Sequence, residues 1–208
     1  MADVDDLLLQ AQDHLIAGRF SEAKVACDEA FASFPEDPRV RAMVANLYLA
    51  HGIRLSGLAR ELRRKEIDAR GKPGELFEDG EAVARTFRDA LDAFDRVLAV
   101  DADHVKAWSL KAQALFRQDR VNRPAALAAY DEAVRALERT LPEGSPGLEK
   151  GRRTLVRGRR QIERACDWCD DTGFCTECGG SGWRSTLGFR RMCETCLGKG
   201  ICKRCGVL

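Results

Sequence analysis

Eight of the nine cysteines lie between Cys166 and Cys205, arranged as Cys166-Asp-Trp-Cys169, Cys175-Thr-Glu-Cys178, Cys193-Glu-Thr-Cys196 and Cys202-Lys-Arg-Cys205. Five, fourteen and five residues separate the four C-x-x-C pairs, so the spacing is palindromic about Gly179 to Met192. Two residues between thiols form the knuckle that lets both sulfurs reach one metal ion. Eight thiolates therefore make two closed four-sulfur sites, the donor set that Zn²⁺ takes in structural roles. The spacing permits either adjacent pairs or outer and inner pairs to share an ion. Glycines follow the knuckles at Gly173, Gly180, Gly182, Gly198 and Gly200, where the chain must turn back so that its amides face sulfur. Residues 166 to 208 hold few large apolar side chains, and a piece of about 40 residues rarely folds on such a core without metal or disulfides.

Two other chemistries compete for attention. Lys150, Arg152, Arg153, Arg157, Arg159, Arg160 and Arg164 crowd into fifteen positions, and further Lys and Arg follow among the cysteines, a plausible phosphate surface. Arg157, Arg159 and Arg160 are the candidate nucleic-acid contacts, against the alternative of a solvated connecting helix. The C-x-x-C pairs are also the dithiol of disulfide exchange, which gives a thiol-disulfide oxidoreductase as a further alternative. Against it, all four pairs are consumed by two complete metal sites, and no thioredoxin-like pattern surrounds them. No paired catalytic carboxylates, nucleophile elbow, Walker loop or dinucleotide fingerprint occurs, and His14, His51 and His104 are scattered. A non-enzymatic protein is expected, and Cys27, on an apolar stripe, is expected in the core.

The whole chain has 208 residues, 34 Lys+Arg and 33 Asp+Glu, so its net charge of +1 defines no partner by itself. The charge is unevenly divided. Residues 1 to 148 carry 21 basic and 26 acidic residues, and residues 149 to 208 carry 13 and 7. With 45% hydrophobic and 32% charged residues the composition suits a folded core. No apolar run approaches the roughly 18 to 20 residues that cross a bilayer, and the acidic start lacks the basic opening of a secretory signal. No membrane association and a cytoplasmic location are expected.

The elements that must position the cysteines are helical. Val4, Leu8, Ala11 and Leu15, then Val83, Phe87, Leu91, Phe94 and Leu98, then Leu127, Tyr130, Val134 and Leu137 recur at steps of three and four. Breakers stand at Gly18, at Pro35 and Pro38, at Gly71 to Gly74, at Pro124 and at Pro142 to Pro146. Gly18, Phe20, Ala23, Cys27, Ala30 and Pro35 resemble the ladder of a tetratricopeptide repeat. Ala45, Tyr48 and Gly52, resumed by Ala90, Phe94 and Val97, resemble a second unit, and Trp108, Ala112, Leu115, Ala126, Tyr130 and Ala133 a third. The resemblance implies stacked antiparallel helix pairs with a groove that holds a peptide or partner helix. A plain helical bundle is the alternative.

A second resemblance lies in the cysteine region. Cys175 to Gly182 and Cys193 to Gly200 are similar to the C-x-x-C-x-G-x-G unit of the DnaJ-type cysteine-rich zinc domain, with Trp183 to Met192 as its middle hairpin. By resemblance, Cys166, Cys169, Cys202 and Cys205 share one zinc, and Cys175, Cys178, Cys193 and Cys196 the other. The chain departs from the pattern at Asp171 and Val207, where a motif glycine is expected, and it contains no His-Pro-Asp tripeptide of a J-domain. The family's zinc domain assists in binding nonnative polypeptide or in assembly.

The expected fold is thus mainly α: a tetratricopeptide-like helical hairpin array over 1-148 with an insertion at about 53-80, a basic helical linker over 149-165, and a small zinc-stabilised β-hairpin domain over 166-208. The insertion, rich in Arg54, Arg60, Arg63, Arg64, Lys65 and Arg70, is expected to be a solvated helix ending in a Gly-Lys-Pro-Gly loop. The expected function is that of a protein-binding adaptor or chaperone-like protein carrying two Zn²⁺ ions. Trp183, Leu187, Phe189 and Arg190 are its candidate partner contacts, and a protein or nonnative polypeptide is the partner. The sequence leaves the oligomeric state open.

Overall fold

The computed structural model describes residues 3–69, 77–164, 166–170, 172–186 and 188–205. Among them seven helices precede a two-stranded sheet: α1 Val4–Ile16, α2 Phe20–Ser33, α3 Pro38–Ala69, α4 Glu81–Val100, α5 Val105–Gln118, α6 Arg123–Thr140 and α7 Pro146–Glu163, then β1 Trp183–Thr186 and β2 Phe189–Met192. The architecture is mainly α, with the small sheet beside the cysteines. Leu187 and the Gly71 to Gly74 stretch lie outside the described residues.

The helices pack as antiparallel neighbours in chain order, α1 on α2, α3 on α4 and α5 on α6, with α2 on α3, α4 on α5 and α6 on α7 joining them. Odd-numbered helices also touch one another, α1 to α3, α3 to α5 and α5 to α7. Among the even-numbered helices α2 and α4 meet through side chains, Arg96 of α4 pairing with Asp28 of α2 at 3.4 Å and lying over the Phe31 ring. Small residues allow the close approach. A Cβ on Gly52 would stand 2.6 Å from the Phe94 ring, so α3 can press on α4 there only because the side chain is missing. In α1 the buried stripe is Leu7 and Ala11, and Leu15 faces solvent, rotated from the stripe that the sequence suggests.

Cys27 sits in the first core, 1% exposed, among Ala23, Ala26 and Ala30 of α2. Burial, with Asp28 beside it, pushes its thiol up to about 11. Alkylation by iodoacetamide at pH 8 is expected to spare Cys27 in the folded protein and to label it within minutes in urea. Peptide mass mapping reads this directly, and rapid labelling without denaturant would contradict the burial.

Two features differ from the sequence expectation. Residues 53 to 69 form no separate inserted piece: they continue α3, and α4 begins at Glu81 and runs back along them. The reason is a second apolar stripe. Leu55, Ala59 and Ile67 are buried at steps of four and eight, and Ala59 meets Val83 and Phe87 of α4. Arg63 occupies the missing step and is 0% exposed. Its guanidinium grips both oxygens of Asp79, with Nε–Oδ1 at 2.7 Å, donates to the carbonyls of Arg117 at 2.5 Å and Gln118 at 3.1 Å, and lies over the Phe87 ring. One buried cation therefore closes the extended hairpin and satisfies carbonyls at the end of α5. Glu61 and Lys65, by contrast, form the expected solvated pair at 2.8 Å.

The second difference is α7, the stretch read as a basic linker. Ser145 caps it by accepting from the Leu148 amide at 3.2 Å, and Leu148, Leu155 and Ile162 bury one side in the core of α5 and α6. Gly151 and Gly158 bring it against Leu137 and Tyr130. It is a packed helix of the array, with its basic residues on the remaining faces.

Candidate metal centre

The first three C-x-x-C pairs make the same local shape. The residue after the second cysteine takes a left-handed conformation, at Asp170 with φ 47°, Gly179 with φ 58° and Leu197 with φ 54°. Four residues after that cysteine a positive-φ glycine, Gly173, Gly182 or Gly200, aims its amide back at sulfur. Gly182 N–H reaches Cys178 Sγ and Gly200 N–H reaches Cys196 Sγ, both at 3.2 Å, and the Gly173 amide serves Cys169. Asp171, the departure from the glycine pattern, and residues 206 to 208 lie outside the described residues.

The knuckles meet about a pseudo-symmetric seam. Phe174 bridges Ile201, with Cys175 N–H donating to Gly200 O and Cys202 N–H to Gly173 O at 2.8 Å each. Gly182 packs so closely on Gly198 that a Cβ there would lie 2.1 Å from the Gly198 carbonyl oxygen. Between the inner knuckles runs the hairpin, with Trp183 opposite Met192, Arg184 opposite Arg191, Ser185 opposite Arg190 and Thr186 opposite Phe189.

This seam gathers the sulfurs into two groups, Cys166, Cys169, Cys202 and Cys205, and Cys175, Cys178, Cys193 and Cys196, each with all its sulfurs within 4.8 Å of one another. Adjacent pairs do not share a group. A tetrahedral ion with bonds of about 2.3 Å holds its sulfurs about 3.8 Å apart. The inner group has Cys175–Cys193 at 4.0 Å and Cys178–Cys196 at 3.7 Å. The outer has Cys166–Cys202 at 3.9 Å and a tighter Cys169–Cys205 at 3.2 Å. Both groups can hold a metal ion, and the inner fits a tetrahedron more evenly.

Electrostatics points the same way. Burial pushes the Cys175 thiol up to about 12, and burial also raises Cys169 and Cys196. Burial opposes ionisation of Cys193 as well, yet amides of Cys196 and Thr195 and neighbouring sulfurs bring it down to about 7. The Trp168 amide brings Cys166 down to about 7. In each group one sulfur, Cys166 or Cys193, ionises readily, while burial first and neighbouring sulfurs second hold protons on Cys169 and Cys205 and on Cys175 and Cys196. Binding a divalent ion would release those protons. With four protein donors the coordination is complete, the pattern of a structural rather than a catalytic metal.

The cysteine region is tied to the helices. Arg120 donates to the Cys205 carbonyl at 2.8 Å, Lys199 pairs with Asp68 near the end of α3, and a cleft of about 800 Å³ between them is lined by Phe77, Phe116, Arg120, Thr172 and Phe174. None of these ties is visible in local sequence, although Arg63, standing in an apolar stripe, carried a readable signal.

Of the other candidate contacts, Phe189 and Arg190 are exposed on β2, while Trp183 is half-buried at the base of β1. Met192 and Trp168, also exposed, are not among the contacts picked out from the sequence. The three arginines picked out for nucleic acid separate. Arg157 and Arg160 are exposed, but Arg159 is held by Asp131 at 2.9 Å and Glu163 at 3.1 Å.

No helix among the described residues is long and apolar enough to cross a membrane. No family model and no curated protein matches the chain. Among solved structures it is similar to a tetratricopeptide repeat protein from Parabacteroides merdae ATCC 43184, at 16% identity over 81% of this chain with a TM-score of 0.24. The chain spans 62% of that protein's length.

Proposed function

We propose that the protein is a non-enzymatic, protein-binding adaptor with chaperone-like action, whose two four-cysteine groups hold structural zinc. The observation that carries this reading is the hairpin. All four residues of β2 face solvent, with Phe189 72% and Met192 52% exposed. Large apolar side chains held in water on a short, metal-braced ribbon suit contact with exposed apolar segments of another polypeptide. The resemblance of the knuckles to the DnaJ-type zinc domain and of the helix pairs to tetratricopeptide repeats supports the same partner class. The side on which α1, α3, α5 and α7 follow one another offers a second surface to it. Zinc is the metal of choice because four thiolates in a closed tetrahedral site suit it, and thiols kept for metal suit a reducing compartment such as the cytoplasm.

The test is suppression of aggregation. The zinc-loaded protein is expected to keep a chemically denatured model client in solution at near-stoichiometric ratio, and the double variant Phe189→Ser, Met192→Ser to lose most of this while retaining two zinc equivalents. Equal suppression by the variant would remove the hairpin from the mechanism. No suppression by either protein would remove chaperone-like action.

A further inference from the structure

The packed side of α7 consists of Leu148, Leu155 and Ile162, with Gly151 and Gly158 against α6. At 100° per residue, Lys150, Arg153, Arg157, Arg160 and Arg164 all fall within about 40° of the opposite side. All but Lys150 are arginine, all are exposed, and none makes an ion pair or side-chain hydrogen bond among the described residues. The contrast with the flanks is sharp. Arg152 is held by Glu138 at 2.8 Å and Arg159 by Asp131 and Glu163. Within that arc the helix carries no acidic residue, the nearest being Glu149, about 60° from its centre and paired with Arg152 at 3.7 Å. Like charges one turn apart destabilise a helix, so the stripe is held at a cost that a polyanionic ligand would offset.

Trp168 follows Arg164 by four residues, at most about 14 Å of chain. Its ring is 54% exposed, with the Arg204 guanidinium 5.6 Å from its centroid, and Lys203 stands exposed next to Arg204. The stripe itself is about 21 Å long. A row of guanidinium forks matches successive phosphates, and an exposed indole beside a cation matches the face of an unpaired base.

The geometry points to a binding site for single-stranded nucleic acid, with phosphates along Lys150, Arg153, Arg157, Arg160 and Arg164 and a base stacked on Trp168. An acidic protein would use the cations and leave the indole idle, and an anionic membrane, whose interface an indole also suits, needs no row of forks at phosphate spacing. A duplex hides the base faces that Trp168 would need. This site is independent of the apolar hairpin surface.

Fluorescence anisotropy with labelled (rU)12 and (dT)12 tests it on the full-length, zinc-loaded protein. Binding is expected to weaken with salt at a log–log slope of about −3, the value for four to five phosphate contacts on a single strand. In the quadruple variant Arg153→Gln, Arg157→Gln, Arg160→Gln, Arg164→Gln the slope should fall toward zero. Arg157→Gln with Arg160→Gln alone should roughly halve it and covers the case in which four changes disturb the helix. Trp168→Ala should weaken binding by about tenfold with the slope unchanged and two zinc equivalents retained. A preference between RNA and DNA would name the source of the strand. Any of four results would overturn the proposal: no binding at low salt, undiminished binding by the quadruple and double variants, tighter binding of a 12-base-pair duplex, or equal binding of polyglutamate or anionic vesicles with no effect of Trp168→Ala.

Discussion

Removal of metal by a strong chelator under reducing conditions is expected to unfold residues 166 to 205 while the seven helices persist. Few apolar residues are buried there besides the cysteines themselves, Ile201 being the main one, so sulfur-to-metal bonds must supply what a core would. A structural zinc site contributes on the order of 10 kcal/mol of apparent folding free energy near neutral pH, far beyond what so small a piece gains from burial. Loss of the near-ultraviolet dichroism of Trp168 and Trp183 with retained far-ultraviolet helicity is the expected reading. Zinc should restore it at two equivalents per chain. Persistence of the signal without metal, or disulfides in reductively purified material, would refute the metal-held fold. A finer test uses Gly182→Ala. Its Cβ would meet a backbone oxygen at 2.1 Å at φ 76°, and no side-chain rotation relieves that clash. Loss of the inner ion is expected. Gly179→Ala, with φ 58° but open space around it, should cost only about 1 kcal/mol.

The difference between these glycines shows what the sequence makes legible. A C-x-x-C-x-G-x-G unit fixes its own turn through contacts within eight residues, so the knuckles, the glycines behind them and the hairpin between them can be read from spacing alone. The sharing of each site by outer or inner pairs could not be read that way, because it depends on the Phe174 to Ile201 bridge and the Gly182 to Gly198 contact, which join distant segments. Helices were legible wherever their stripes were apolar. Where Arg63 replaced an apolar residue the stripe looked broken, and residues from Ile53 on read as a solvated inserted helix rather than as the packed continuation of α3 to Ala69. Likewise Arg157, Arg159 and Arg160 are equivalent in sequence, and only Asp131 on the neighbouring helix separates Arg159 from the other two.

Arg63→Met is expected to destabilise the helical array by about 3 kcal/mol, the low end of the range for breaking a buried ion pair from one side. Methionine fills much of the same volume against Phe87 but offers no donors. Asp79, whose side chain is 19% exposed, would then keep its charge with partial access to water, which moderates the cost. The carbonyls of Arg117 and Gln118 would lose the donors that close the end of α5. Urea unfolding monitored by helicity measures the loss as a lowered midpoint at nearly unchanged slope. Replacing both partners, Arg63→Met with Asp79→Leu, should recover part of it, because no lone charge then remains in the closed hairpin. The consequence reaches the cysteine region. Asp68, one turn beyond Arg63 on α3, pairs with Lys199, and Arg120, just past the carbonyls that Arg63 holds, donates to Cys205. Loosening this joint should let the cysteine region open from the helices, seen as faster amide exchange at Lys199 to Cys205 with both metal ions still bound. An unchanged midpoint and unchanged exchange in Arg63→Met would mean that the buried guanidinium holds neither the hairpin nor the joint together.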